Sequence, residues 1–80
     1  GGQPQGEVRF GAIVTIKAEA TGKIQTFRIV GVDEADISKA KIPFISPFSK
    51  ALMNKKVGDK TILRQTGKDI AFEIIDIKYN

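Results

Sequence analysis

The chain has 80 residues, 41% of them hydrophobic, and carries 13 Lys and Arg against 9 Asp and Glu, which gives a net charge of +4. This size and composition predict one small globular domain, near the lower limit of what folds on a single apolar core. Cysteine and histidine are absent from the sequence, so disulfides, thiolate or imidazole catalysis and the usual zinc ligands are excluded. The positive charge favours acidic partners, either nucleic acid or an acidic protein surface.

The N-terminal part of the chain changes character after residue 6. Residues 1–6, GGQPQG, carry no charge and predict a flexible linker or a terminal extension, whereas residues 7–80 predict the folded domain. Apolar side chains occupy alternate positions of residues 8–18, which predicts one long strand with Gly11 at a bulge or a close backbone approach. The side chains predicted to face inward are Val8, Phe10, Ala12, Val14, Ile16 and Ala18.

Two further segments of β-structure follow. Thr21 and Gly22 predict a hairpin turn, and the β-branched and aromatic residues in 23–31 predict the return strand. The polar residues that come next predict a loop. Strand propensity returns at residues 42–45, where Pro43 has no N–H to donate to a neighbouring strand and therefore predicts a position at the edge of the sheet.

The stretch KIPFISPFSKALMNKKVGD, residues 41–59, predicts one short helix. Ser46 is a favourable N-cap residue, and Pro47 fits the first helical position because an N–H there would have no partner inside the helix. Apolar side chains then recur at helical spacing, at Phe48, Ala51 and Leu52. Two basic residues in the predicted last turn suit the negative end of the helix dipole, Lys55 and Lys56.

The rest of the chain predicts two more strands, residues 61–65 and 70–79, joined by a turn at Gly67. In the last strand the apolar residues change parity between Ile74 and Ile75, which predicts either a bulge or burial on both faces. Five strands and one helix predict an α+β fold, in which an antiparallel sheet carries the helix on one face. No apolar run approaches the roughly 18 residues of a membrane span.

The acidic run DEAD, residues 33–36, and the serines are the candidates for chemistry. Three carboxylates in four residues raise a magnesium site as a hypothesis, but a loop does not by itself converge oxygens in octahedral geometry. A solvated loop in which Asp36 caps a turn is the favoured interpretation. The serines have no histidine to act as their base. We therefore predict no catalytic residue, no metal site, no cofactor and no small-molecule substrate.

Basic side chains concentrate on the predicted helix and on the turn and strand after it. They suit either a nucleic-acid surface or a solvent-exposed face. The second interpretation is favoured because single-strand binding usually adds exposed aromatic rings, and the aromatic residues here are predicted to face the core. The basic residues concerned are Lys50, Lys55, Lys56, Lys60 and Arg64.

The residues before the predicted helix suggest a protein-binding site. Alternation does not allow Phe44 and Ile45 to be buried on one face of the same strand, so one of them is predicted to emerge beside Pro47. An apolar side chain next to a rigid proline turn, with lysines around it, is typical of a protein-docking tip.

Four motifs resemble the C-terminal domain of the bacterial Gre transcript-cleavage factors, GreA and GreB. They occur in family order and cover residues 7–79: VRFGAIVTI, FRIVGVDEAD, KIPFISPFSKALMNKKVGD and EIIDIKY. The resemblance implies an FKBP-like fold, a curved antiparallel sheet packed against one short helix. It also implies docking on bacterial RNA polymerase, at the rim coiled coil of the largest subunit. In that family an N-terminal coiled coil enters the secondary channel and helps the polymerase to cleave backtracked RNA.

The sequence departs from the family in two respects. No acidic-tipped helical hairpin lies within these 80 residues, so the chain is expected to be a domain of a longer protein and not to stimulate cleavage alone. Ile45 stands where the family usually has Asn or Asp, directly before Ser46 and Pro47. The FKBP-like fold also raises a prolyl isomerase, but isomerases of that fold have a pocket floored by tryptophan, which this sequence lacks.

Together, the pattern and the resemblance predict a cytoplasmic, polymerase-docking domain that is not itself an enzyme. A basic nucleic-acid-binding module is the main alternative, with a prolyl isomerase after it, and a weak nucleic-acid contact is compatible with the docking role. The residues predicted to bind the partner are Asp36, Ile45, Ser46, Pro47, Phe48 and Lys50.

Overall fold

The computed structural model describes residues 6–65 and 67–79, and within these ranges the chain forms a five-stranded sheet and one short α-helix. The elements in chain order are β1 (Ile13–Ala18), β2 (Ile24–Val30), β3 (Lys41–Pro43), α1 (Pro47–Leu52), β4 (Lys60–Gln65) and β5 (Lys68–Lys78). Two 3₁₀ turns, Val32–Glu34 and Ile37–Lys39, connect β2 to β3. The strand order across the sheet is β3-β2-β1-β5-β4. The linker predicted for residues 1–6 lies, apart from residue 6, outside the described residues.

The sheet is mixed. β1 lies at its centre and pairs antiparallel with β2 and β5, and β4 pairs antiparallel with β5. β3 instead pairs parallel with β2, with Ile29 opposite Ile42. The antiparallel prediction is therefore confirmed for four strands and wrong for β3, because the two 3₁₀ turns carry the chain back along β2 before β3 begins.

β3 is an edge strand, as Pro43 predicted. On the side away from β2, Lys41 exchanges two main-chain hydrogen bonds with Asp36, of 2.9 and 3.0 Å. The carbonyl oxygen of Pro43 accepts from the N–H of Ser46 at 3.0 Å and from the hydroxyl of Ser49 at 2.8 Å. The polar groups at the outer border of this short strand are thus satisfied within the domain.

The apolar core lies between the helix and one face of the sheet. α1 contributes Leu52, and alternate residues of the strands contribute most of the remainder, as expected for a sheet that buries one face. The buried cluster comprises Val8, Ala12, Val14, Ile16, Ile29, Leu52, Leu63, Phe72 and Ile74. The α+β arrangement with a helix on one face of the sheet is confirmed.

The change of parity in the last strand is a β-bulge. Thr15 lies opposite Asp76 but the next residue, Ile16, lies opposite Ile74, so Ile75 has no partner on β1. One extra residue on β5 therefore lets Ile74 and Ile77 both pack on the core side. Of the two predicted explanations, the bulge is confirmed.

The predicted first strand begins five residues later than expected. Residues 8–12 form an irregular segment with a turn at Phe10 and Gly11, and the φ angle of Gly11 is 89°. Val8 is buried nevertheless. Its main chain is held by hydrogen bonds to Asn54 and Lys55, which follow the C-terminal end of the helix. Phe10, which was predicted to face inward, is instead 60% exposed.

The helix is shorter than its sequence pattern predicted. It ends at Leu52, and Met53 already has an extended ψ of 136°. The N–H of Asn54 donates to the carbonyl of Val8, and the carbonyl of Lys55 accepts from the N–H of Val8. Placement of Lys55 and Lys56 in the last helical turn was therefore wrong, because pairing with a distant segment stops the helix first.

Within the described ranges, the chain contains no helix long and apolar enough to cross a membrane.

Candidate docking surface

The loop that leads into α1 is pinned by a chain of hydrogen bonds. Ser46 is the N-cap residue, and its hydroxyl oxygen accepts from the N–H of Ser49 at 3.1 Å. The two serine hydroxyls are also bonded to each other at 3.1 Å. Since the buried hydroxyl of Ser49 donates to the carbonyl of Pro43, the end of β3 is connected to the first turn of α1. The N-cap predicted from the sequence is confirmed, and the loop has a fixed shape.

This loop presents apolar and rigid groups to solvent. Phe44 is 42% exposed and Ile45 is 52% exposed. Alternation predicted that one of these two would emerge, and both do, because the strand ends at Pro43. Pro47 is exposed at the first position of α1, and Lys50 is exposed one turn later.

Phe48 differs from its neighbours because it points into the core. Its ring packs edge-to-face against Phe27 and Phe72, with centroid distances of 5.0 and 5.4 Å. The side chain is half-buried, and it packs against the buried cluster. Although Phe48 was predicted to bind a partner, the geometry gives it a packing role beneath the exposed loop.

Asp36 lies at the other end of β3. Its carboxylate accepts from the N–H and from the hydroxyl of Ser38, at 3.1 and 2.6 Å, so it caps the second 3₁₀ turn as predicted. The three residues of β3, about 10 Å of extended chain, separate its backbone from the loop before α1. The structure does not bring Asp36 into the cluster formed by Ile45, Ser46 and Pro47.

Phe44 of this loop forms an exposed aromatic pair with Phe10. The rings of Phe10 and Phe44 meet edge-to-face, with a centroid distance of 5.6 Å and an interplanar angle of 83°. Sequence reasoning missed Phe10 because strand alternation assigned it to the core. The glycine that follows it was the available clue, since a residue beside a turn glycine need not obey the alternation of the next strand.

The other candidates for chemistry gain no support from the geometry. Asp33 and Glu34 are exposed, and in the part of the chain that the structure describes no three acidic side chains are grouped to hold a metal ion. Among the basic residues, Lys60 forms an ion pair with Glu19 at 3.8 Å. Lys55 is half-buried.

A prolyl-isomerase pocket is not favoured either. Three phenylalanine rings fill the core beneath α1 instead of lining a cleft, at Phe27, Phe48 and Phe72. A cavity of about 550 Å³ opens between the β1–β2 turn and the start of β5, but no described residue of its lining is aromatic. Apolar groups arranged around a proline side chain would be needed there.

Comparison with known proteins decides the family. The sequence model described as "Transcription elongation factor, GreA/GreB, C-term" matches residues 3–79. The chain belongs to the GreA/GreB C-terminal domain family. The chain is 46% identical to the transcription elongation factor GreA of Thioalkalivibrio sulfidiphilus over 74 residues, which are 92% of this chain and 47% of that protein. It is 43% identical to GreA of Francisella philomiragia over 77 residues, or 96% of this chain and 48% of that protein.

Solved structures agree with the GreA/GreB assignment. Gfh1 of Thermus aquaticus superposes with a TM-score of 0.82 at 28% identity, covering 98% of this chain and 52% of that one. Gfh1 of Thermus thermophilus, a GreA factor homolog, gives a TM-score of 0.77 at 28% identity, covering 96% and 52%. The predicted family and the α+β, FKBP-like fold class are confirmed. The chain spans about half the length of the curated GreA relatives it matches.

Proposed function

We propose that this domain docks on bacterial RNA polymerase, as the polymerase-binding part of a Gre-type elongation factor that acts in the cytoplasm. Membership of the GreA/GreB family supports this proposal, since the relatives are named transcription elongation factors. The partner surface is the rim coiled coil of the largest polymerase subunit, as the resemblance of the sequence motifs implies. The domain is not itself an enzyme in this proposal and supplies binding only.

The observation that carries the proposal is the fixed shape and the exposed apolar groups of the loop before α1. Ser46 and Ser49 fix its backbone, while Ile45 and Pro47 stay exposed at its tip. A pre-formed loop loses little conformational entropy when a partner binds, so its apolar groups can contribute affinity directly. Exposed lysines such as Lys50 would guide the encounter with an acidic partner.

The proposed binding residues differ in their roles. Ile45 supplies apolar contact area, Pro47 keeps the turn rigid, and Ser46 holds the turn in place from inside. Phe48 acts from below by filling the core under α1. Asp36 belongs to the second 3₁₀ turn, so it would contact the partner only if the interface extends along β3.

A binding titration with an isolated rim coiled-coil fragment tests the proposal. We expect measurable binding of the wild-type domain, and at least about a tenfold loss for the double variant Ile45→Ser/Pro47→Ala, which leaves the Ser46 cap intact. Ile24→Ser is the matched control, because Ile24 is 58% exposed at the far end of β2. Equal binding of the double variant and the wild type would contradict the assignment of the site to this loop. Absence of wild-type binding would contradict the proposed function.

A further inference from the structure

A basic cavity lies at the end of β3 that is opposite to the loop before α1. Its volume is about 190 Å³, and its lining includes Lys39 from the second 3₁₀ turn, Lys41 from β3 and Arg28 from β2. We propose that this cavity binds a terminal phosphate group, carried either by a free nucleotide or by the 5′ end of an RNA. The proposal concerns a separate ligand site and does not depend on polymerase docking.

The strand pairing brings the basic residues of this cavity together. Arg28 lies opposite Lys41 in the parallel pair of β2 and β3. Partner residues project from the same face of a sheet, and neighbouring strands are about 4.8 Å apart. That face is the one away from the core, since Ile29, the neighbour of Arg28, belongs to the buried cluster. Lys39 reaches the same cavity from the turn that precedes β3.

The two lysines supply positive charge that is available to an anion. Within residues 6–65 and 67–79, neither Lys39 nor Lys41 forms an ion pair. Asp36 exchanges main-chain hydrogen bonds with Lys41, but its carboxylate accepts from the N–H and the hydroxyl of Ser38. Lysine ammonium groups bind phosphate oxygens through charge-assisted hydrogen bonds, which are stronger than those between neutral groups.

The border of β2 adds a main-chain donor. The N–H of Arg28 points away from β1 and donates to the carbonyl of Ala40 at 2.9 Å. Residues two apart on a strand direct their N–H groups to the same side, so the N–H of Thr26 also points away from β1. β3 pairs with β2 only from Arg28 onward, so in the described part of the chain no strand covers Thr26 on that side. Thr26 lines the cavity, where its N–H can donate to a phosphate oxygen.

The size of the cavity selects a small group. Pockets that enclose a drug-sized ligand measure about 300 to 1,000 Å³, which is larger than the 190 Å³ found here. A phosphate group fits inside, while the sugar and the base of a nucleotide lie outside. A terminal phosphate carries about two negative charges at neutral pH, whereas a phosphate within a nucleic-acid chain carries one. The terminal group therefore matches Lys39 and Lys41 better.

The base of the nucleotide is not what this cavity recognises. Binding of bases without sequence preference relies on exposed aromatic rings for stacking. The aromatic residue of the lining is Phe27, and its ring packs edge-to-face against Phe48 in the core, with a centroid distance of 5.0 Å. The recognised chemistry is therefore the phosphate, which a free nucleotide and an RNA 5′ end share.

Nuclear magnetic resonance titrations of the domain at low salt test the site with four probes: uridine diphosphate, uridine, and oligouridine with either a 5′-phosphate or a 5′-hydroxyl group. We expect uridine diphosphate to bind at least about tenfold more tightly than uridine and to shift the amide resonance of Thr26. The double variant Lys39→Gln/Lys41→Gln should lose about tenfold or more in this affinity. Lys56→Gln/Lys68→Gln removes the same charge at exposed positions elsewhere and should bind like wild type.

The outcomes also separate the two sources of phosphate. Binding of uridine diphosphate alone supports the site with a free nucleotide as its ligand, and preference for the 5′-phosphorylated oligomer supports it with an RNA end. Absence of binding by every phosphate probe overturns the proposal, as does equal affinity for uridine diphosphate and uridine. Tight and equal binding of the two oligomers, or an equal loss in the two lysine variants, overturns it as well. The amide spectrum of each variant verifies that it is folded.

Discussion

The hydroxyl of Thr61 donates a hydrogen bond of 2.7 Å to the main-chain carbonyl of Ala51. This bond joins the last turn of α1 to the edge strand β4, and Thr61 is buried. Carbonyl groups in the last turn of a helix have no hydrogen-bond donor inside the helix. A donor from the sheet therefore satisfies the carbonyl of Ala51 and also fixes the orientation of the helix. The short helix is therefore fixed at both ends, by Ser46 at its start and by Thr61 at its last turn.

Replacing Thr61 by valine tests this connection. Thr61→Val keeps the shape of the side chain but leaves the Ala51 carbonyl without its donor, so we expect the free energy of unfolding to fall by about 1 to 2 kcal/mol. Thr61→Ser keeps the hydroxyl and should lose less. Urea denaturation monitored by circular dichroism gives both values, and equal stability of Thr61→Val and wild type would contradict the assigned role.

The Ser46 cap is expected to matter for stability as well as for docking. Ser46→Ala removes the acceptor for the N–H of Ser49, and loss of an N-cap of this type lowers the free energy of unfolding by about 1 kcal/mol. Ser46→Asp retains an acceptor and places a negative charge at the helix N-terminus, so it should stay close to wild type. If the two variants melt at the same temperature, the cap does not act as described.

Substitutions of Phe48 and Phe10 compare the loss of a core ring with the loss of an exposed ring. Phe48→Ala opens a space between Phe27 and Phe72, and we expect it to lower the free energy of unfolding by about 3 kcal/mol. Phe10→Ala removes an exposed ring with one aromatic neighbour and should lower it by less than about 1 kcal/mol. Denaturant unfolding of both variants compares them directly. A larger loss for Phe10→Ala than for Phe48→Ala would reverse the two roles.

Alanine substitutions at two glycines near the aromatic pair are expected to change the stability by different amounts. Gly11 has a φ of 89°, and a methyl group added to it would meet open space, so Gly11→Ala adds backbone strain alone and should cost about 1 to 2 kcal/mol. Gly31 has a φ of −70°, and a Cβ there makes an ordinary contact with Phe10. Gly31→Ala should therefore change the free energy of unfolding by less than about 0.5 kcal/mol. Thermal melts of the pair check this difference.

Much of the fold follows from local sequence patterns. The hairpin turn at Gly22 and the edge position of Pro43 were predicted, because each depends on neighbouring residues. The bulge near Ile75 was one of the two explanations that the change of parity allowed. The parallel pairing of β3 was not, since it depends on the path of the preceding loop. The end of α1 was also missed, because the segment that captures Asn54 lies more than 40 residues earlier in the chain.

In the candidate site, too, the features that depend on adjacent residues were predicted and those that depend on tertiary structure were not. Ser46 and Pro47 were predicted correctly as the start of a helix, since capping and proline preferences are properties of a few adjacent residues. Phe48 faces the core because of Phe27 and Phe72, which are distant in sequence. Phe10 was assigned to the core because its apolar character matched the alternation of the next strand. Its meeting with Phe44 depends on tertiary structure, which periodicity does not encode.

The parallel edge strand also affects how these molecules behave at high concentration. A second copy that approached β3 would find the main-chain groups of Lys41 already bonded to Asp36, no N–H on Pro43, and its carbonyl engaged by Ser46 and Ser49. Sheets grow into fibrils by adding strands to open borders. This border is closed to such growth, which leaves β4, with the charged side chains of Lys60 and Arg64, as the place where ordered aggregation would have to begin.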